Sequence, residues 1–232
     1  MKKLLILAGL CALMAGSAPA QAADECDGLM VCVPVAGPWV SVPVGTSVPR
    51  PHVEYQLRCP RGYIVGGLDA RLSDRGIDIT FIGEVGSPVN PGITTSRAVV
   101  FVASYVGSSA RAPTFRPFIG CMPAAGGGSR IPTAVSAILK PGQPTLRRVR
   151  TVRVRPGTRT VASGCRSNET IVGASHAFGF AGRLPPSESA VALVRGAQSV
   201  SGRRAVVRAT GDAELGSIRA VVQVHAVCST VR

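Results

Sequence analysis

The densest chemistry in the chain is guanidinium. Arg147-Arg148-Val149-Arg150-Thr151-Val152-Arg153-Val154-Arg155 places five arginines in nine residues, with Lys140 before them and Arg159 after. A guanidinium is a planar fork of N–H donors that matches the oxygens of phosphate, sulfate or carboxylate. From Val152 onward valines alternate with arginines at the period of a strand, so Arg153 and Arg155 project from one face. Arg148 and Arg150 share parity with Val152 and Val154, and an extended or bulged entry is needed to keep them out of a core. Together with Arg204 and Arg208 on a later strand, the candidate polyanion-binding set is Arg148, Arg150, Arg153, Arg155, Arg159, Arg204 and Arg208. The stretch has no aromatic side chain on which bases could stack, which disfavours nucleic acid and favours an anionic envelope glycan or lipid surface. The same arginines also suit an edge strand guarded against edge-to-edge pairing.

Other chemistry is sparse. Asp69, Asp74 and Asp78 lie within ten residues. They lack the spacing of a calcium loop and alternate with Arg71 and Arg75, as surface ion pairs around a turn would. Ser175 and His176 are neighbours, but successive strand residues point to opposite faces and cannot form a nucleophile–base pair. His176 aligns with Asp69 of an earlier repeat, and His225 aligns with Phe118. Val222, Val224, Ala226 and Cys228 share one parity, so His225 is expected on the outward face. There is no G-x-S-x-G elbow and no glycine-rich phosphate loop. No catalytic residue, metal or cofactor is assigned, although a hydrolase with a site between the repeats, built on Asp69 and His176, stays as an alternative. Asn168-Glu169-Thr170 matches a glycosylation acceptor, a short and common signal.

The elements that must position these groups are organised by cysteine. Cys11 lies in an apolar leader, leaving Cys26, Cys32, Cys59, Cys121, Cys165 and Cys228, an even number that reads as three disulfides in an exported chain. One pattern occurs twice: Cys59, Ile64-Val65-Gly66, Arg97-Ala98-Val99-Val100 and Cys121, then Cys165, Ile171-Val172-Gly173, Arg204-Ala205-Val206-Val207 and Cys228. The interval from the arginine to the closing cysteine is 24 residues in both. Equivalent cysteines should pair alike, which gives Cys59–Cys121, Cys165–Cys228 and a small Cys26–Cys32 loop. Zinc is disfavoured, because no C-x-x-C occurs among the six and His52, His176 and His225 are distant in sequence. Cys59-Pro60-Arg61-Gly62 with Val65-Gly66-Gly67 resembles the opening of small two-cysteine β modules of exported bacterial proteins. The second copy departs from that form at Arg166-Ser167-Asn168, and the likeness carries over no activity.

Alternating segments bounded by Gly, Pro, Ser and Asn predict strands at 39–46, 53–59, 62–72, 77–84, 97–105 and 114–121. The second set is 152–158, 159–165, 170–180, 190–196, 203–210 and 217–228. The fold class is all-β: two tandem homologous, disulfide-braced antiparallel modules, sandwich- or barrel-like. They are either beads on a linker or docked into one pseudo-twofold unit. The expected divisions are a signal peptide at 1–22, a head at 23–38, module 1 at 39–123, a Gly/Pro-rich linker and basic strand entry at 124–150, and module 2 at 151–232. Ala98, Val100 and Val102, matched to Ala205, Val207 and Ala209, are the expected core face. A Phe101 set against Arg208 implies that the other face is covered in the first copy and solvated in the second.

Lys2, Lys3, the apolar Leu4–Ala15 and Ala20-Gln21-Ala22 have the form of a secretory signal. That stretch is shorter than the roughly 20 residues of a membrane span, so a soluble periplasmic or extracellular protein is expected. The chain carries a formal charge of +14 at pH 7, a balance that favours anionic partners. The leading expectation is a non-enzymatic envelope protein that binds an anionic partner through an arginine-rich strand face. A protein-binding module, inhibitor or adhesin-like, using an apolar face near Phe101 and Phe118 is the alternative.

Overall fold

The computed structural model describes residues 25, 26, 29, 31–83, 97–108, 112–124, 145–216 and 218–230. The expected signal peptide and most of the expected linker lie outside these residues. Among the described residues the first half forms β1 (Val33–Ala36), β2 (Trp39–Ser41), β3 (His52–Arg58), β4 (Tyr63–Leu72), β5 (Ile77–Gly83), β6 (Ala98–Tyr105) and β7 (Thr114–Pro123). The second half forms β8 (Thr145–Arg153), β9 (Gly157–Gly164), β10 (Thr170–Ala181), helix α1 (Glu188–Ala192), β11 (Val194–Ser201), β12 (Arg204–Gly211) and β13 (Arg219–Ser229). The expected strand at 190–196 is corrected: Ser187 accepts a hydrogen bond from the Ala190 N–H and caps α1, and the strand begins after it. The basic entry at 145–150 is itself strand β8, and the expected strand at 152–158 is corrected: β8 ends at Arg153 and β9 begins at Gly157, with Pro156, which has no N–H to offer, between them.

All the strand pairs between named elements are antiparallel. The main sheet runs β1–β7–β2–β10–β13–β8, with β4 on the remaining edge of β7. Within each half a long pair carries the closing cysteine, β4 with β7 and β10 with β13. Both pairs shift register once, between Val65 and Gly67 and between Ile171 and Gly173. The smaller layers are β3–β6–β5 in the first half and β11–β12 in the second, with β9 packed along β12. Strand β2 joins the halves: Val40 pairs with Phe115 of β7 on one side and with Gly179 of β10 on the other. A continuous sheet across the junction rules out beads on a flexible linker.

Three disulfides, Cys26–Cys32, Cys59–Cys121 and Cys165–Cys228, form as the repeat predicts. Each long bridge pins a smaller layer to the main sheet. The head is held by close approach: a Cβ on Gly67 or Gly120 would lie 1.8 Å from the Glu25 carbonyl oxygen, so only glycine admits that crossing.

The register within the repeat differs by one residue from the sequence alignment. The Cys59 N–H donates to the Arg97 carbonyl, whereas the Cys165 N–H donates to that of Arg203. Arg97 therefore corresponds to Arg203, not Arg204, and Val99 to Ala205. A one-residue slip in a strand exchanges its faces. The core of the first half is accordingly Val99, Phe101 and Ala103 with Val53, Tyr55, Leu57, Phe115 and Ile119. In the second half the expected Ala205, Val207 and Ala209 are core, with Val222, Val224 and Ala226. Ala98 and Val100 are also buried, on the opposite face of β6. The positions matching them in β12 are Arg204 and Val206, and Arg204 is exposed. The expected core face Ala98, Val100 and Val102 is thus corrected: the core parity of β6 is that of Val99, Phe101 and Ala103, while in the second half the expected solvated side, Arg204 and Arg208, is exposed.

Phe101 is fully buried, against Phe81 at 5.1 Å and Phe115 at 6.4 Å between ring centroids. Phe118 lies under the guanidinium groups of Arg71 and Arg116, at 5.4 and 5.3 Å. The expected apolar docking face near Phe101 and Phe118 is therefore occupied from within the chain.

In the loop-closure view, replacing Cys59 and Cys121 together by Ala, a separation of 62 residues, costs about 4 kcal/mol. Opening the Cys26–Cys32 loop, a separation of 6, costs about 2 kcal/mol. Urea midpoints of the two double variants should fall in that order.

Candidate functional site

Strand β3 is an edge strand whose polar side, Glu54, Gln56 and Arg58, alternates with core residues Val53, Tyr55 and Leu57. The Cys59-to-Arg97 hydrogen bond sets which residues of β3 bond to β6, and it leaves Gln56 with its N–H and carbonyl turned away from that partner. The side chain of Gln223 on β13 takes both. The Gln56 N–H donates to Gln223 Oε1 at 2.6 Å, and Gln223 Nε2 donates to the Gln56 carbonyl at 3.2 Å. A carboxamide thus stands in for a neighbouring strand, and the first half is laid against β8, β10 and β13 of the second.

Around this contact lies a buried polar network. Glu54 pairs with Arg147 through both guanidinium nitrogens, Nη1 to Oε2 and Nη2 to Oε1, and its Oε2 also accepts from Ser175 Oγ. Gln223 Nε2 also donates to Thr151 Oγ1 at 3.1 Å. That orientation presents Oε1 to His225, so His225 Nε2 carries the proton and donates at 2.7 Å. Its Nδ1 then holds a lone pair and accepts from Arg147 Nη1 at 2.9 Å.

The expectation that His225 faces outward is corrected. It has no exposed surface, because β3 of the first half covers the face of β13 opposite the core. Burial, then the adjacent Arg147 charge, push the imidazole down to about 3, against the attraction of Glu54. Burial raises the Glu54 carboxyl, but hydrogen bonding and charge from Arg147 outweigh it, and the net shift is downward. Ser175, Glu54 and His225 meet here, yet the serine donates directly to the carboxylate and both imidazole nitrogens are taken by other partners. No serine–histidine relay exists in this arrangement. The register places Ser175 opposite His225 as Asp69 is opposite Phe118, so Ser175, not His176, matches Asp69.

The seven expected arginines do not form one surface. Arg148 is paired with Glu169, Nη2 to Oε1 at 2.5 Å, and Ser163 Oγ donates to its carbonyl at 2.8 Å, which resolves its core-facing parity. The hydrogen bond from Arg148, with that from the Arg166 N–H, lowers the Glu169 carboxyl. Arg150 and Arg153 are exposed on opposite faces of β8, and Arg155 and Arg159 are exposed around the turn into β9. Arg147, absent from the set, is the buried member of the run, at 6 % exposure.

Arg204 and Arg208 belong to a different surface. Strands β11 and β12 form a hairpin closed at Gly202, whose φ of 56° suits the first central position of a two-residue turn. Arg195 pairs across with Thr210, Ala197 with Arg208 and Ser201 with Arg204, so these six side chains share the outward face. Residues 194–211 contain four arginines, Arg195, Arg203, Arg204 and Arg208, and no carboxylate. All four are exposed, and among the described residues none has an acidic partner. Sequence reasoning missed Arg195 and Arg203 because it followed the repeat rather than the hairpin.

Cys165, Glu169 and Cys228 bring three ligand-type atoms within 4.8 Å of one another. Both sulfurs belong to the disulfide and the carboxylate belongs to Arg148, so the group is a covalent brace with an ion pair beside it. Among the described residues no helix is long and apolar enough to cross a membrane.

Removing one partner of a buried ion pair strands the other charge. Glu54→Gln or Arg147→Met should each cost about 3–5 kcal/mol by urea unfolding. The combined Glu54→Leu, Arg147→Met variant should recover much of that loss. His225 holds a folded pKa far below its unfolded value near 6.5, so its contribution is present above pH 6.5 and is lost as pH falls toward 3. That linkage is worth up to about 5 kcal/mol. Glu54, also lowered, adds to the loss below its unfolded value of 4.5. The unfolding free energy should therefore decline between pH 7 and 4, and His225→Gln should flatten that slope.

Comparison of the chain with protein-family models, with curated proteins and with solved structures finds no match.

Proposed function

We propose that this is an exported, non-enzymatic envelope protein that binds an anionic polymer through the outward face of the β11–β12 hairpin. The observation that carries the reading is the hairpin itself: four exposed arginines, no carboxylate over residues 194–211, and small hydroxyl side chains between the charges. Guanidinium forks spaced along a flat strand surface can each take a sulfate, phosphate or carboxylate of a repeating chain. Three disulfides suit an oxidising compartment outside the cytoplasm. The lack of an aromatic side chain in the hairpin argues for a glycan or lipid headgroup surface over nucleic acid. Arg150, Arg153, Arg155 and Arg159 extend the positive field but stand on other faces. Arg148 is withdrawn from the binding set, because Glu169 neutralises it. At the polar junction His225 offers no free base, because Nε2 donates to Gln223 and the Nδ1 lone pair accepts from Arg147.

Retention on a heparin column tests this. Replacing Arg195, Arg204 and Arg208 by Ser should move elution to clearly lower salt with no change in melting temperature, since all three are exposed. Replacing Arg150 and Arg153 should have a smaller effect. Unchanged elution of the triple variant would contradict the reading.

A further inference from the structure

Beside the polar network the halves leave a groove of about 590 Å³. One wall is strand β10, from Ala174 to Phe178, with Gln198 behind it. The other is the chain from Ser41 to Val53, including Pro43, Pro49 and Pro51. The β10 wall is an unpaired strand edge. β2 pairs with β10 only at Gly179 and Phe180, while on its other side the Val42 N–H continues the register with β7 by bonding to the Pro113 carbonyl. The Val154 N–H to Ala220 carbonyl bond fixes which β13 residues bond to β8; the others bond to β10, opposite Gly173, Ser175, Ala177 and Gly179. Ala174 and His176 therefore turn their backbone N–H and carbonyl groups into the groove. Gln198 Nε2 donates to the Ala174 carbonyl at 3.0 Å, which agrees with this parity. Among the described residues nothing pairs with the backbone of His176.

The facing wall cannot close this edge from within. Proline has no N–H to offer a ladder, and three of the lining positions on that side are proline. The edge from Ala174 to Phe178 is partly buried and about 16 Å long, with the Ala174 carbonyl taken by Gln198, which leaves room for a short extended peptide centred on His176. The charged side chain that lines the groove is Arg50, beside the imidazoles of His52 and His176 and with no carboxylate. The nearest acid along β3, Glu54, is held by Arg147 and Ser175. The Ala174 carbonyl can only accept, so Gln198 Oε1 faces His176 Nδ1 at 2.9 Å, and Nδ1 carries the proton. His176 is thereby held in a fixed orientation at the groove wall.

We infer that this groove binds an extended acidic peptide segment of a protein partner, which adds as a strand to the free edge of β10 at Ala174–Phe178. Backbone hydrogen bonds at His176 supply the affinity and Arg50 selects acidic side chains. The groove touches the hairpin only through Gln198, which points to the side opposite Arg195, Arg204 and Arg208.

The test is amide NMR titration of the full chain with three acetylated pentapeptides at millimolar concentration. One alternates Val and Asp, one is the same peptide N-methylated at alternate bonds, and one alternates Val and Lys. The expected result is perturbation centred on Ala174, His176 and Phe178, with exchange of the His176 N–H slowed at least tenfold by the acidic peptide. N-methylation should weaken binding at least tenfold, and Lys for Asp at least threefold. Arg50→Ser, an exposed change, should reduce the preference for Asp over Lys, whereas replacing Arg195, Arg204 and Arg208 by Ser should leave His176 protection intact. Equal binding of the N-methylated peptide, perturbation confined to the hairpin, or no perturbation would each overturn the inference.

Discussion

The structure depends on one buried contact between a strand edge and a side-chain amide. The outward N–H and carbonyl of Gln56 would be unsatisfied in the junction between the halves, at a cost of roughly 1–3 kcal/mol each. Gln223 satisfies both, and its orientation then dictates the rest: the His225 tautomer, the acceptance from Arg147, and the pairing of Arg147 with Glu54. A network in which each bond fixes the polarity of the next tolerates few alternative arrangements. The polar junction specifies one relative placement of two cores that are otherwise built from apolar side chains.

That placement determines what each surface can do. Laying β3 across β8, β10 and β13 buries His225 and Arg147. Among the described residues it also leaves the β2-side edge of β10 without a partner strand before Gly179, where the chain between β2 and β3 runs through prolines. The β11–β12 hairpin belongs to the smaller layer of the second half, and among the described residues its arginines form no ion pair. Rigid docking, a free strand edge and a basic platform are thus three consequences of one geometry.

Much of this was legible in the residues. Cysteine equivalence fixed the pairing of all three disulfides, and period-2 alternation located most of the strands, although 152–158 straddles the break between β8 and β9 and 190–196 begins in a helix. The failures have physical causes. Arg-Ala-Val-Val occurs twice, but Val and Ala fill both parities of β6, so hydrophobicity alone could not choose a register; the hydrogen bonds of Cys59 to Arg97 and Cys165 to Arg203 do. His225 looked solvent-facing because its neighbours at even positions were the obvious core. What buries it is a strand more than 160 residues earlier, a contact no local pattern encodes. The arginine run suggested one charged face, yet a strand sends alternate residues to opposite sides, and Glu169 and Glu54 claim two of its members.

Native-state hydrogen exchange at the Gln56 amide tests the docking most directly. This N–H bonds to Gln223 Oε1 and not to β6, so its protection reports the junction alone. The account predicts protection comparable to that of Tyr55 and Leu57, which bond to β6, and its selective loss in Gln223→Met while those two neighbours stay protected. A Gln56 amide that exchanges as fast in the wild-type chain as in the variant would contradict the account.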